Sequence, residues 1–170
     1  ERRNDSAVQV LIGSAMNTPA NGFDPQAPLV TRRIQRTLSL AVNPFLNDHM
    51  IGGHAVLPTV CAMAWMSNTT EQMYPGYHFF RAENYRALKG IVFDDTLAPN
   101  YSIELKEVDK STKGQIVLDV LIFSQTPQGK PRYHYSVRLD LRAQVPAAER
   151  YTNADLSVTD GEPGAQLYTN

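Results

Sequence analysis

His49 sits in the pattern H-x-x-x-G-x-x-x-x-P, with Gly53 and Pro58 at the fixed offsets, and runs directly into the apolar stretch Val60-Cys61-Ala62-Met63-Ala64-Trp65-Met66. An imidazole titrates near neutral pH, so a histidine held in a Gly/Pro-shaped turn at the mouth of a buried helix is well placed to take a proton. The bland alternative is a solvated loop histidine. Gly53, Pro58 and the apolar run behind them argue against it. His49 and His54 could be taken as a metal pair, but their spacing fits neither a helical i, i+4 pair nor a zinc signature, and no third ligand stands out. No metal and no cofactor are therefore expected. His78 and His134 read as structural or solvated, with His134 on the polar face of its strand. Asp48 should point away from its neighbour in an extended turn and is not assigned as an acid.

The elements that must position His49 follow from periodicity. Pro58 to Met73 is the strong helix candidate, with Pro58 at a first helical position, Thr59 as a possible cap and Pro75-Gly76 as the stop. Its first two turns are apolar all round, which predicts burial, with Val60, Cys61, Met63 and Trp65 against a sheet. Its second half, Ser67 to Gln72, turns polar and should emerge into solvent. Ile34, Leu38 and Leu40 share a strand-like face that Pro44 ends, and Phe79 to Phe93 carries mixed strand signals. Tyr101 to Leu105 and Ile116 to Phe123 alternate. In the clearest strand, Tyr133, Tyr135, Val137, Leu139 and Leu141 face one way, with His134, Ser136, Arg138, Asp140 and Arg142 opposite. Lys110–Gly114 and Thr126–Lys130 have hairpin length. One buried helix followed by long antiparallel strands predicts an α+β hot-dog plan, a curved antiparallel sheet wrapped around the helix.

Composition bounds the rest. At 170 residues, 42% hydrophobic and 19% charged, the chain is long enough for one domain with a real core. A formal net charge of −1 offers nothing to nucleic acid or an anionic membrane. A single cysteine, Cys61, and no membrane-length apolar run fit a reducing, cytoplasmic setting. The segment 1–28 reads as a linker or the tail of a preceding domain, 29–145 as the core, and 146–170 as a linker toward further chain. The start at Glu1 suggests a piece of something longer.

His49 through Pro58, preceded by Asn43-Pro44-Phe45-Leu46, resembles the active-site histidine motif of polyketide-synthase-type dehydratase domains. The resemblance covers about Leu29 to Val145, and Thr59 stands where many relatives have Gly. In detail the stretch looks most like the dehydratase-like region of bacterial polyunsaturated fatty acid synthases. Val8 to Ser14 is then similar to the tail of a ketoreductase. The resemblance implies the first half of a double hot dog, eliminating water from a 3-hydroxyacyl thioester on acyl carrier protein. His49 is the implied C2 base. Gly53 would let a backbone N–H approach the thioester oxygen, and the helix after Pro58 would add its dipole.

The family's acid lies in the second hot dog, in D-x-x-x-Q or D-x-x-x-H, and neither motif is expected anywhere in this chain. The helix itself offers no carboxylate before Glu71. The implied partners are acyl carrier protein and either a second hot dog or a homodimer mate. The competing expectations are a silent hot-dog module for acyl-chain or carrier-protein binding and, more weakly, a hot-dog thioesterase.

Overall fold

The computed structural model describes residues 27–148 except Ser111. The expected tail over 1–28 and the linker over 146–170 therefore lie almost wholly outside the described residues. In chain order the elements are β1 (Thr31–Arg36), a short 3-10 helix (Pro44–Asp48), β2 (Met50–Ile51), β3 (His54–Ala55), α1 (Thr59–Met73), β4 (His78–Ala87), β5 (Tyr101–Asp109), β6 (Gln115–Gln125) and β7 (Pro131–Arg142). Five strands form one antiparallel sheet in the order β1-β5-β6-β7-β4. The helix packs on β4, β6 and β7. This is the expected hot-dog arrangement.

Alternation builds the inner face of that sheet. Cross-strand partners set Ile103, Ile122 and Tyr135 in one row and Leu105, Val120 and Val137 in the next, all buried. Each row removes three apolar side chains from water, and burying one such side chain contributes about 1.5–3 kcal/mol. The two hairpin turns fall where expected, between β5 and β6 and between β6 and β7.

Two expectations need correction. Tyr133 does not share the face of Tyr135. It is 49% exposed and stacks edge-on against Phe123 of the outer face. The cause is a bulge: Ile122 pairs with Tyr135 but Phe123 pairs with Tyr133, leaving His134 as the extra residue. An inserted residue reverses side-chain parity, so Tyr133 turns outward and His134 goes inside, 3% exposed. His134 is thus structural, not solvated.

The helix is buried or partly buried over most of its first two turns as expected but departs from expectation at Val60 and in its polar half. Val60 is 74% exposed and does not contact the sheet as predicted, whereas Trp65 and Met66 are fully buried and Cys61 and Met63 partly so. The polar half does not emerge: Thr69 and Thr70 are buried. Hydroxyls can go inside by bonding back to the helix. The Thr70 hydroxyl donates to the Met66 carbonyl at 2.7 Å, and Ser67 donates to that of Ala64 at 3.2 Å.

A buried polar knot closes the far end of the helix. Glu107, on β5, accepts the Tyr74 hydroxyl at 2.8 Å, Lys110 Nζ at 3.0 Å and the Val30 N–H at 3.1 Å. Lys110 also donates to the Pro28 carbonyl at 3.0 Å. Burial alone would raise the Glu107 pKa, but the hydrogen bonds from Lys110, Tyr74 and Val30 outweigh it and hold the carboxyl below its ordinary value. The folded state thus favours the carboxylate. Its contribution is complete above the unfolded pKa of about 4.3 and is lost as pH falls through the lower folded value. Glu107→Ala leaves Lys110 buried without its counter-charge and should cost about 3–5 kcal/mol in chemical denaturation. Its stability should also fall less steeply below pH 4 than that of the wild type. Equal denaturation midpoints would show that the knot contributes nothing.

Candidate active site

The backbone around His49 is fixed on both sides while its side chain stays exposed. The preceding 3-10 turn anchors itself by burying Leu46, and the His49 N–H donates to the Leu46 carbonyl at 3.1 Å. The His49 carbonyl accepts the Val56 N–H at 3.0 Å. Between them β2 and β3 form a small hairpin closed by Gly52 and Gly53, both at positive φ (59° and 84°). Two central residues with positive φ are what a tight type I′ turn requires.

A Cβ at Gly53 would meet nothing within 4 Å, so the position needs glycine for its backbone angle rather than for space. Gly53→Ala should therefore destabilise the domain by about 1–2 kcal/mol through left-handed strain, read as a drop in melting temperature. An unchanged melt would mean that the hairpin re-forms with another turn.

The hairpin is stitched to the following chain. Leu57 N–H donates to the Ile91 carbonyl at 2.9 Å, Phe93 N–H to that of Ala55 at 2.8 Å, and Val56 bridges Val92. Pro58 then caps α1. It stands one residue before the first helical position expected for it, with extended ψ (142°), and its carbonyl accepts the Ala62 N–H at 3.0 Å. Thr59 is the first helical residue rather than the cap. No side chain caps this end and no acidic residue lies in the first turn. The first-turn N–H groups therefore carry the helix's partial positive charge without a side-chain acceptor.

Two tyrosines not singled out from the sequence fix this entry. The Tyr85 hydroxyl donates to the Thr59 carbonyl at 2.8 Å and the Tyr135 hydroxyl to the Leu57 carbonyl at 3.4 Å, bracketing Pro58. Burial, aided by the neighbouring Tyr135, pushes Tyr85 up to about 12, so both phenols stay protonated donors at neutral pH. Only their strand positions relative to a distant turn make them visible, and no local motif carries that.

His49, Gly53 and Pro58 thus occupy one continuous stretch: hairpin start, hairpin turn and helix cap. No carboxylate is hydrogen-bonded or ion-paired to His49 among the described residues. Glu71 is engaged elsewhere, accepting the Phe79 N–H at 2.6 Å. The letters D-x-x-x-Q do occur, at Asp140–Gln144 and at Asp5–Gln9. Asp140 lies in β7 rather than on a helix, held by Gln115 at 3.0 Å and Arg142 at 3.1 Å, and Asp5 lies outside the described residues. No group of three or more potential metal ligands occurs among the described residues.

A five-stranded antiparallel sheet packed on one helix, with a histidine hairpin at the helix entry, is a hot-dog domain. The family of polyketide synthase dehydratase domains matches residues 25–122, and the chain belongs to it. It is 29% identical over 89 residues to a polyunsaturated fatty acid synthase subunit from Thraustochytrium sp., covering 52% of this chain and 3% of that protein. The dehydratase domain of the CurF module of curacin polyketide synthase matches with a TM-score of 0.56 at 14% identity, over 89% of this chain and 49% of that one. The R-hydratase PhaJ1 of Pseudomonas aeruginosa matches with a TM-score of 0.50 at 14% identity, over 73% of this chain and 89% of that one. The chain thus spans about half of the solved dehydratase domain and a small part of the curated relative.

Proposed function

We propose that this domain is the histidine-bearing half of a dehydratase in a polyketide or polyunsaturated fatty acid synthase, acting on 3-hydroxyacyl chains carried by acyl carrier protein. The exposed His49 ring, on a backbone fixed at both its N–H and its carbonyl, is the observation that carries the reading. Elimination begins with removal of the C2 proton by the neutral imidazole of His49. Charge then develops on the thioester carbonyl oxygen, where N–H groups near Gly53 and the uncapped start of α1 can receive it. Loss of the C3 hydroxyl as water needs a proton on the leaving oxygen, given by an acid from a second hot dog of the same polypeptide or from a homodimer mate.

The domain boundaries that suit this reading are 29–145, with flanking segments on either side. No described helix is long and apolar enough to cross a membrane. The test is formation of the 2-enoyl thioester by the full-length synthase with His49 intact and replaced by alanine. Loss of product with the fold retained supports the proposal, and unchanged turnover overturns it. The missing carboxylate partner favours a second reading, a silent module that binds acyl chain or carrier protein, and the same assay separates the two.

A further inference from the structure

A cleft of about 300 Å³ opens beside the hairpin, along the Ile91–Val92 segment to which Leu57 and Val56 are bonded, and none of His49, Gly53 or Pro58 lines it. Its walls come from the segment after β4, from β5 and from the bulged ends of β6 and β7. The floor is buried and polar. Ser124 Oγ lies 2.8 Å from His134 Nε2, and His134 Nδ1 lies 3.0 Å from the Lys89 carbonyl. A carbonyl only accepts, so Nδ1 carries the proton and Nε2 receives the Ser124 hydroxyl. The Tyr101 hydroxyl, also in the wall, accepts the Ala98 N–H at 3.1 Å and keeps its own proton for another acceptor.

Two cations, Lys89 and Arg132, line this cleft, and neither forms a salt bridge among the described residues. One carboxylate, Asp94, shares the lining, so it offsets one of the two positive charges and leaves the cleft with a net positive charge. Asp94 accepts the Thr96 N–H at 2.8 Å and the Thr96 hydroxyl at 2.7 Å on one oxygen, turning that part of its carboxylate toward its own loop. A concave surface lined by two cations and one carboxylate concentrates a net positive field, which favours an anion over a cation. A guanidinium, an ammonium and a phenol proton also match the several acceptor oxygens of a tetrahedral or planar oxyanion.

We propose that this cleft binds a small oxyanion, a phosphate monoester or a carboxylate headgroup, held between Lys89 and Arg132 with the Tyr101 hydroxyl as a third donor. The site owes nothing to the reading of His49 and does not require the domain to be catalytic. The bulge at His134 builds it, because bringing His134 inside presents the Ser124–His134 pair as its floor beside Arg132.

The test is a titration of the 170-residue chain with sodium phosphate, followed by amide ¹H–¹⁵N spectra at ionic strength held constant with sodium chloride. Saturable shifts are expected at Lys89 to Val92 and at Arg132 to His134, with Gly52 and Gly53 unmoved. Lys89→Gln and Arg132→Gln should each weaken binding roughly tenfold, as expected for loss of one charge-assisted contact. Both side chains reach solvent, and the spectra themselves report whether the variants stay folded. A parallel sodium acetate titration distinguishes the sources: tighter phosphate binding points to a phosphate ester, tighter acetate binding to a carboxylate. Shifts that do not saturate with either anion, or that persist unchanged in both variants, overturn the proposal.

Discussion

His49→Ala is expected to lower 2-enoyl thioester formation by the full-length synthase by about 10²–10⁴-fold, the usual worth of a positioned proton-transfer group. Stability should hardly change. The His49 side chain is exposed, and the hydrogen bonds that fix this turn run through its backbone N–H and carbonyl, which alanine keeps. Substitution of an exposed residue of this kind typically moves stability by no more than about 0.5 kcal/mol. The measurement is turnover of a 3-hydroxyacyl carrier-protein thioester alongside a melting curve. His54→Ala supplies the control, because His54 lies on the next strand of the same hairpin and is also exposed. An equal loss in the two variants would assign the chemistry to the wrong histidine.

The 170-residue chain alone should dehydrate such a substrate at most marginally, even with His49 in place. An unassisted hydroxide is a poor leaving group, and losing general-acid help costs about 10²–10⁴-fold. Three of the described carboxylates are committed elsewhere. Glu71 is bound to the β4 backbone, Asp140 to Gln115 and Arg142, and Glu107 is sealed in the knot with Lys110. Apolar side chains flanking His49 in sequence are also bare, Ile51 at 60% and Val60 at 74% exposure. Exposed surface of this kind drives association, so sedimentation of the isolated chain should show self-association. Robust His49-dependent turnover by the chain alone would defeat this expectation, and would place the acid within one hot dog or across a homodimer.

Much of this was legible from the residues, and the parts that were not share a cause. The His49-Gly53-Pro58 spacing is local, so the hairpin and helix entry could be read directly. The long alternation from Tyr135 to Leu141 was equally plain. Legibility ends at the bulge, because nothing in Tyr133-His134-Tyr135 marks one extra residue. Its existence depends on the partner strand, where Ile122 and Phe123 take Tyr135 and Tyr133. The buried threonines of α1 misled for a similar reason. Side-chain polarity predicts exposure unless the helix's own carbonyls accept the hydroxyl, as Met66 does for Thr70. The cleft was invisible because Lys89, Ser124 and His134 meet only through the sheet.

The knot of Glu107, Lys110 and Tyr74 has a mechanical meaning. It grips the incoming chain by its own backbone, at the Pro28 carbonyl and the Val30 N–H, while the same carboxylate holds the residue that ends the helix. The chain from Pro28 to Val30 is therefore held at a fixed point on the domain. A pull on that upstream segment is borne by the buried ion pair and passed to the tail of the central helix, rather than being absorbed by a slack tether.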